Sequence, residues 1–261
     1  PGSSFKPFVL ATALKNGIGS GSVWASKQKE FTVPNSGGKE KFIPNNNEGA
    51  YAGSLSLAEA TVQSDNSVYA EVGITVGTRK VARTARKMGI RTPVSHNLAM
   101  TLGGLEQGVT PLDMAHAYET IAEHGERISG TLAAPDLGPV GIESVKSYKG
   151  KVLKKNRRIE RQAIPAGVAD EMRGIMEQVV QRGTGKAAAV GQFAAGKTGT
   201  TDSFGDAWFV GFTEQYTAAV WVGYPDELKY MKTEFGGDPV MGGTFPAEIW
   251  HDFMTAAISI D

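Results

Sequence analysis

The 261-residue sequence predicts an α+β fold, a mainly helical region followed by an antiparallel sheet and a closing helix. Three observations carry that expectation. Apolar residues recur at helical spacing in successive segments between Ser3 and Gly183. Three strand-like runs crowd together after Gly191, and one more helical pattern opens at Pro246. No internal repeat and no second domain boundary interrupt the series, so residues 1–261 are expected to form one domain.

The first segment, Ser3 to Asn16, places Phe5, Val9, Leu10 and Ala13 at helical spacing, and Gly17 can take a left-handed stop. Pro7 is tolerated only near a helix start, which puts that start at or just before Ser3. Gly17 to Gly53 is rich in Gly, Ser, Asn and Lys and reads as irregular surface chain. Ser56-Leu57-Ala58-Glu59 is a capping box. The helix it opens runs towards Ser64, breaks there, and gives way to a short helix with Val68, Tyr69 and Val72.

A helix from Arg79 to Met88 follows, then one that starts at Thr110-Pro111-Leu112-Asp113, a cap with proline at the first helical position. Its apolar face is expected to be Leu112, Ala115, Tyr118, Ile121 and Ala122. Ile142 to Ile164 is basic and predicts a peripheral hairpin turning at Lys149-Gly150-Lys151. Val168, Met172, Ile175, Met176 and Val179 mark a further helix. The strands are Phe193–Thr200, Ala207–Phe212 and Tyr216–Tyr224, and the last helix turns Ile249, Trp250, Phe253, Met254 and Ala257 inward.

Composition removes several functions. With 27 Lys+Arg against 27 Asp+Glu, no global field favours nucleic acid. No apolar run approaches the ~20 residues that span a bilayer. Cysteine is absent, which excludes disulfides and thiolate chemistry, and the four histidines lack metal-ligand spacing, so neither metal nor cofactor is expected.

Three short motifs point to serine acyl transfer: S-x-x-K, S-x-N and K-T-G. S-x-x-K occurs at Ser3-Lys6, Ser26-Lys29 and Ser36-Lys39, and S-x-N at Ser64-Asp65-Asn66 and Ser95-His96-Asn97. Only Lys197-Thr198-Gly199 is unique. The chemistry needs a hydroxyl and an amine held on one face of a rigid element. Ser3 and Lys6 sit at a helix start, whereas Ser26 and Ser36 lie in loop; alone, Ser3 reads equally well as an N-cap. Ser64 falls at a helix break. Lys197 lies within a strand, where a lysine ordinarily guards an exposed edge. Gly191 to Thr198 also fits the phosphate-loop pattern G-x-x-x-x-G-K-[ST], but the residues after it make a poor helix start, which disfavours nucleotide binding.

With their flanks, the motifs resemble the transpeptidase domain of class A, bifunctional penicillin-binding proteins. Pro1-Gly2-Ser3-Ser4-Phe5-Lys6-Pro7-Phe8 is similar to their active-site helix, Ser64-Asp65-Asn66-Ser67-Val68-Tyr69-Ala70 to the second motif, and Lys197-Thr198-Gly199-Thr200-Thr201 with Asp206 to Gly211 to the third motif and the next strand. Thr110 to Ala115 and Arg182-Gly183-Thr184-Gly185 are similar too. The resemblance implies a penicillin-binding/serine β-lactamase-like transpeptidase fold and a D,D-transpeptidase of peptidoglycan stem peptides that β-lactams inhibit. It makes Ser3 the nucleophile, Lys6 the proton acceptor, Ser64 a proton relay and Asn66 an amide-binding residue that fixes Lys6. Lys197 then supplies positive charge, and Thr198, Gly199, Thr200 and Thr201 bind substrate. The backbone N–H groups of Ser3 and Thr200 form the oxyanion hole.

The resemblance also implies sheet strands ahead of the nucleophile helix, a glycosyltransferase domain and a membrane anchor, so this chain reads as truncated on its N-terminal side. The implied partner is that upstream part, at the extracytoplasmic face of the bacterial membrane. A D,D-carboxypeptidase or serine β-lactamase would share the motifs. Against one β-lactamase class, no glutamate between Asn66 and Lys197 has an asparagine four residues on.

Overall fold

The computed structural model describes residues 1–46 and 49–260. A 3-10 turn, Gly2–Phe5, leads into α1, Lys6–Lys15. Pro7 explains this order, because it occupies the first turn of α1, where its missing N–H has no intrahelical partner. Every residue from Lys6 to Ala13 is buried, so α1 is the central helix and not a surface one.

The segment read as irregular carries three short strands and ends at the first residue of a fourth. β1, Val23–Ser26, pairs antiparallel with β4, Gly53–Ser56, from Val23↔Ser56 to Ser26↔Gly53. β2, Phe31–Thr32, pairs with β3, Lys41–Phe42. These strands are too short to show alternation, so the reading of loop needs correcting.

α2, Leu57–Val62, opens on the capping box, with the Glu59 N–H donating to Ser56 Oγ at 3.1 Å. α3, Asn66–Val76, is capped by Asp65. Between them Ser64 adopts φ 59°, a left-handed conformation rare outside glycine. α4, Thr78–Met88, is followed by α5, Pro111–Ala122. The buried face of α5 is Met114, Ala117, Tyr118 and Ile121, while Leu112, expected inward, is 56% exposed. Asp113 turns inward instead, because its carboxylate takes the Arg91 Nε–H at 2.7 Å.

β5, Glu126–Ser129, β6, Ser144–Lys146, β7, Val152–Lys155, and β8, Ile159–Gln162, build the periphery. β6 and β7 form the expected hairpin, but β8 leaves it to pair with β5. α6, Ala166–Gln181, buries Ala169, Met172, Ile175, Met176 and Val179. Then come β9, Ala195–Thr200, β10, Asp206–Phe212, and β11, Thr217–Gly223, an antiparallel sheet in the order β11-β10-β9. The closing helix is α7, Phe245–Ile258. It buries Ala247, Trp250 and Met254 and leaves Ile249 and Phe253 exposed, against expectation.

The main core joins α1, α3, α4, α5, α6 and one side of the sheet, and a second core joins Phe209 to Trp250 and Met254. The turn before α1 therefore lies directly against β9.

Candidate active site

Two glycines show how closely that turn meets the strand. A Cβ on Gly199 would stand 2.2 Å from the Pro1 carbonyl oxygen and 2.9 Å from the Ser4 nitrogen. One on Gly2, whose φ is +55°, would stand 2.5 Å from the Thr200 carbonyl oxygen. Only backbone without side chains fits there. Tyr118 fixes the turn from the far side by donating its Oη–H to the Ser4 carbonyl at 2.6 Å. Ser3 is thus held in a turn packed against β9, half-buried, and its hydroxyl makes no hydrogen bond to any described residue.

Lys6 and Lys197 are both fully buried. Lys6 Nζ donates to Asn66 Oδ1 at 2.7 Å and to the Ser64 carbonyl at 2.7 Å, and lies 3.2 Å from Ser64 Oγ. It also sits 5.2 Å from the centre of the Tyr69 ring. Lys197 Nζ donates to Ser64 Oγ at 2.8 Å, the Thr198 carbonyl at 3.2 Å and Thr198 Oγ1 at 3.3 Å. Two amines from distant elements therefore converge on one hydroxyl. The left-handed turn at Ser64 is what places it between them. The reading of Lys197 as an edge guard fails, since its amine is sealed inside.

Burial in a poorly polarisable interior disfavours a charged amine, and a second amine disfavours it further. Lys6 is accordingly held well below the ordinary lysine value of 10.5, first by burial and then by Lys197, with Asp65 opposing. Burial brings Lys197 down to about 7.

The structure brings Ser64, Asn66, Lys6 and Lys197 together and packs the turn that carries Ser3 against β9, with Gly2 on Thr200 and Ser4 on Gly199. The hydroxyls of the third motif have other partners. Thr198 Oγ1 shares a 2.6 Å bond with Thr184 Oγ1, and Thr200 Oγ1 accepts the Gly242 N–H at 3.1 Å. Thr201 Oγ1 accepts the Asp206 N–H at 2.8 Å, closing the turn between β9 and β10.

Sequence reasoning missed Asn45, Asn46, Asp65 and Ser26. The Asn45 carbonyl accepts from Asn66 Nδ2 at 2.6 Å, and Ser26 Oγ–H donates to Asp65 Oδ2 at 2.5 Å. Asp65 was legible only as the variable member of S-x-N. The alternative motif at Ser26-Lys29 is also accounted for, since Ser26 is buried on Asp65 and Lys29 pairs with Glu71 at 2.6 Å. Gly191 to Thr198 runs into β9, and a 3-10 turn, Asp202–Phe204, follows where a phosphate loop needs a helix. Among the described residues no cluster of His, Asp and Glu could hold a metal ion, and no helix is long and apolar enough to cross a membrane.

Known proteins share this architecture. The family model for the penicillin-binding protein transpeptidase domain matches residues 1–231. Penicillin-binding protein 1A of Neisseria gonorrhoeae is 33% identical over 99% of this chain and 31% of its own length. The solved PonA1 protein of Mycobacterium tuberculosis, in complex with penicillin V, is 30% identical, with a TM-score of 0.81 over 98% of this chain and 68% of that one. Penicillin-binding protein A of M. tuberculosis, as its penicillin G acyl-enzyme, is 25% identical, with a TM-score of 0.75 over 99% of this chain and 60% of that one. Fold and motifs together define a penicillin-binding transpeptidase domain. The chain belongs to the penicillin-binding protein transpeptidase family and spans about a third of the curated relatives it matches.

Proposed function

We propose that this domain is a serine D,D-transpeptidase that cross-links peptidoglycan stem peptides and is acylated by β-lactams. The observation that carries the reading is the convergence of Lys6 Nζ and Lys197 Nζ on Ser64 Oγ, with Ser3 one turn before Lys6 and its hydroxyl unbonded among the described residues. A neutral Lys6 has two N–H donors, which the Asn66 and Ser64 carbonyl oxygens occupy, and one lone pair left for a hydroxyl proton.

Ser3 Oγ attacks the carbonyl carbon of the penultimate D-alanine while its proton passes to Lys6. The oxyanion is held by the N–H groups of Ser3 and Thr200, a fixed arrangement of donors of the kind that contributes most to such reactions. Collapse breaks the C–N bond, and Ser64, hydrogen-bonded to both lysines, returns the proton to the leaving D-alanine nitrogen. An amine of a second stem peptide then attacks the ester carbon and releases Ser3 as its alcohol. Asn66 Nδ2 has a second N–H for a substrate carbonyl, and Thr198, Gly199, Thr200 and Thr201 line the strand for the rest of the peptide. Thr198 and Thr200 take the substrate carboxylate, and Lys197, buried behind Thr198 and on Ser64, supplies positive charge to that end of the site.

The catalytic fragment works, in this reading, at the extracytoplasmic face of the membrane. The remainder of a longer protein supplies the anchor and the glycosyltransferase domain. That remainder also provides sheet strands, for which β11 has an edge unpaired among the described residues. The test is incubation with a fluorescent penicillin and mapping of the modified peptide by mass spectrometry. Labelling at Ser3 is expected; labelling at another serine, or none in folded protein, refutes the assignment.

A further inference from the structure

The first turn of a helix leaves N–H groups with no partner inside the helix, and a side chain just before it ordinarily takes one. In α3 Asp65 does this for Val68, whose N–H reaches Asp65 Oδ1 at 2.8 Å. The two preceding N–H groups are taken by a residue far away in sequence. Asn46 Oδ1 accepts from Asn66 N at 2.8 Å and from Ser67 N at 3.1 Å. Its Nδ2 donates to Asp65 Oδ2 at 2.7 Å and to the Ala50 carbonyl at 2.8 Å. One carboxamide thus makes four bonds, and the next residue back, Asn45, holds the Asn66 side chain by its carbonyl.

We propose that Asn46 is a positioning residue, which caps α3 from outside the helix and so fixes Asn66 and the Ser64 turn on Lys6. The inference rests on the acyltransferase reading for its catalytic consequence, but not for its geometry. Asn66 has its backbone N–H gripped by Asn46, its Nδ2 by Asn45 and its Oδ1 by Lys6. With these bonds in place the side chain cannot rotate away without breaking at least one of them. Asp65, buried and also held by Ser26, is the second anchor of Asn46. Without Asn46, the N–H groups of Asn66 and Ser67 lose their partner together and Asp65 Oδ2 is left with Ser26 alone, at the point where the chain turns through Ser64.

The test compares the parent protein with Asn46→Ala and Asn46→Asp. Aspartate keeps an acceptor oxygen for Asn66 and Ser67, loses the donors to Asp65 and Ala50, and faces the Asp65 carboxylate with one of its own. Amide hydrogen exchange at Asn66, Ser67 and Val68 is measured alongside the rate of acylation by fluorescent penicillin. For Asn46→Ala, exchange at Asn66 and Ser67 rises at least tenfold while Val68 changes little, and acylation slows at least tenfold. For Asn46→Asp, the two amides stay protected and acylation recovers most of the loss. Unchanged exchange at Asn66 and Ser67 in Asn46→Ala overturns the inference, as does parent-like acylation by a labelled, folded Asn46→Ala. Should that variant not fold, an Asn46→Asp protein with unprotected Asn66 and Ser67 amides overturns it. If the parent itself is not labelled at Ser3, the acyltransferase reading fails, and the exchange measurements still decide whether Asn46 positions α3.

Discussion

A lysine amine is a base only when it is unprotonated, and the main influences on Lys6, burial and Lys197, outweigh Asp65 and work against its proton. It is buried, it faces Lys197, and its acceptors are an amide and a carbonyl, not a carboxylate. Lys197 has the opposite task, since in the proposed role it supplies positive charge behind a carboxylate held by Thr198 and Thr200, yet burial brings it down to about 7. The signs give a bell-shaped profile for acylation. The rate rises with pH as Lys6 loses its proton and falls as Lys197 loses its own above about 7. A rate that keeps rising through pH 9 would exclude this role for Lys197. Lys6→Arg keeps the charge and removes the base, because guanidinium does not deprotonate in proteins. It should lower acylation at least 10³-fold, in the range that proton-transfer groups contribute, with the fold intact by circular dichroism. At this scale the sequence exposed the residues of the three motifs but not their shared environment. Asn46 was invisible, because its partner lies 20 residues away and its own segment has the composition of loop.

Among the elements, the contact between β9 and the turn before α1 is made of backbone alone, and it gives one substitution two opposite outcomes. Gly199→Ala would drive a methyl group into the Pro1 carbonyl and the Ser4 nitrogen, neither of which is a flexible side chain. The turn that carries Ser3 must then separate from β9, and acylation should fall at least 100-fold while helix content is kept. Gly174→Ala, on the exposed side of α6 with nothing within 4 Å, should instead raise stability by roughly 0.5–1 kcal/mol in urea unfolding. Equal effects from the two would show that the close approach is not what fixes Gly199. Helix starts were legible because caps are local: Ser56, Thr110 and Pro111 stand where the sequence puts them. The inward faces were less so. In α7, Ala247, Trp250 and Met254 make one stripe and Ile249 with Phe253 another, and periodicity merges the two. What separates them is tertiary, since Phe209 meets the Trp250 ring edge-on at 5.2 Å and the indole N–H donates to the Ala218 carbonyl at 3.2 Å.

Over the whole molecule, the family was legible from the order of the motifs more than from any one of them. The hydrogen bonds that build the site join residues 58, 60 and 133 apart, so the site exists only when α1, the turn before α3 and β9 are packed together. The same packing bears on the competing phosphate-loop pattern. A phosphate loop needs free backbone N–H groups at a helix start and a lysine free to reach the phosphates. Here Ala195 to Thr200 pairs along its length with β10, from Phe212↔Ala195 to Ala207↔Thr200, and Lys197 is buried on Ser64. ATP with magnesium should therefore leave the melting temperature unchanged. The measurement discriminates well, because a ligand at 100 times its dissociation constant stabilises by about 2.7 kcal/mol. For a domain of this size that is a rise of roughly 5–10 °C. A rise of that order with ATP, absent in Lys197→Met, would restore the nucleotide reading and require β9 to leave the sheet.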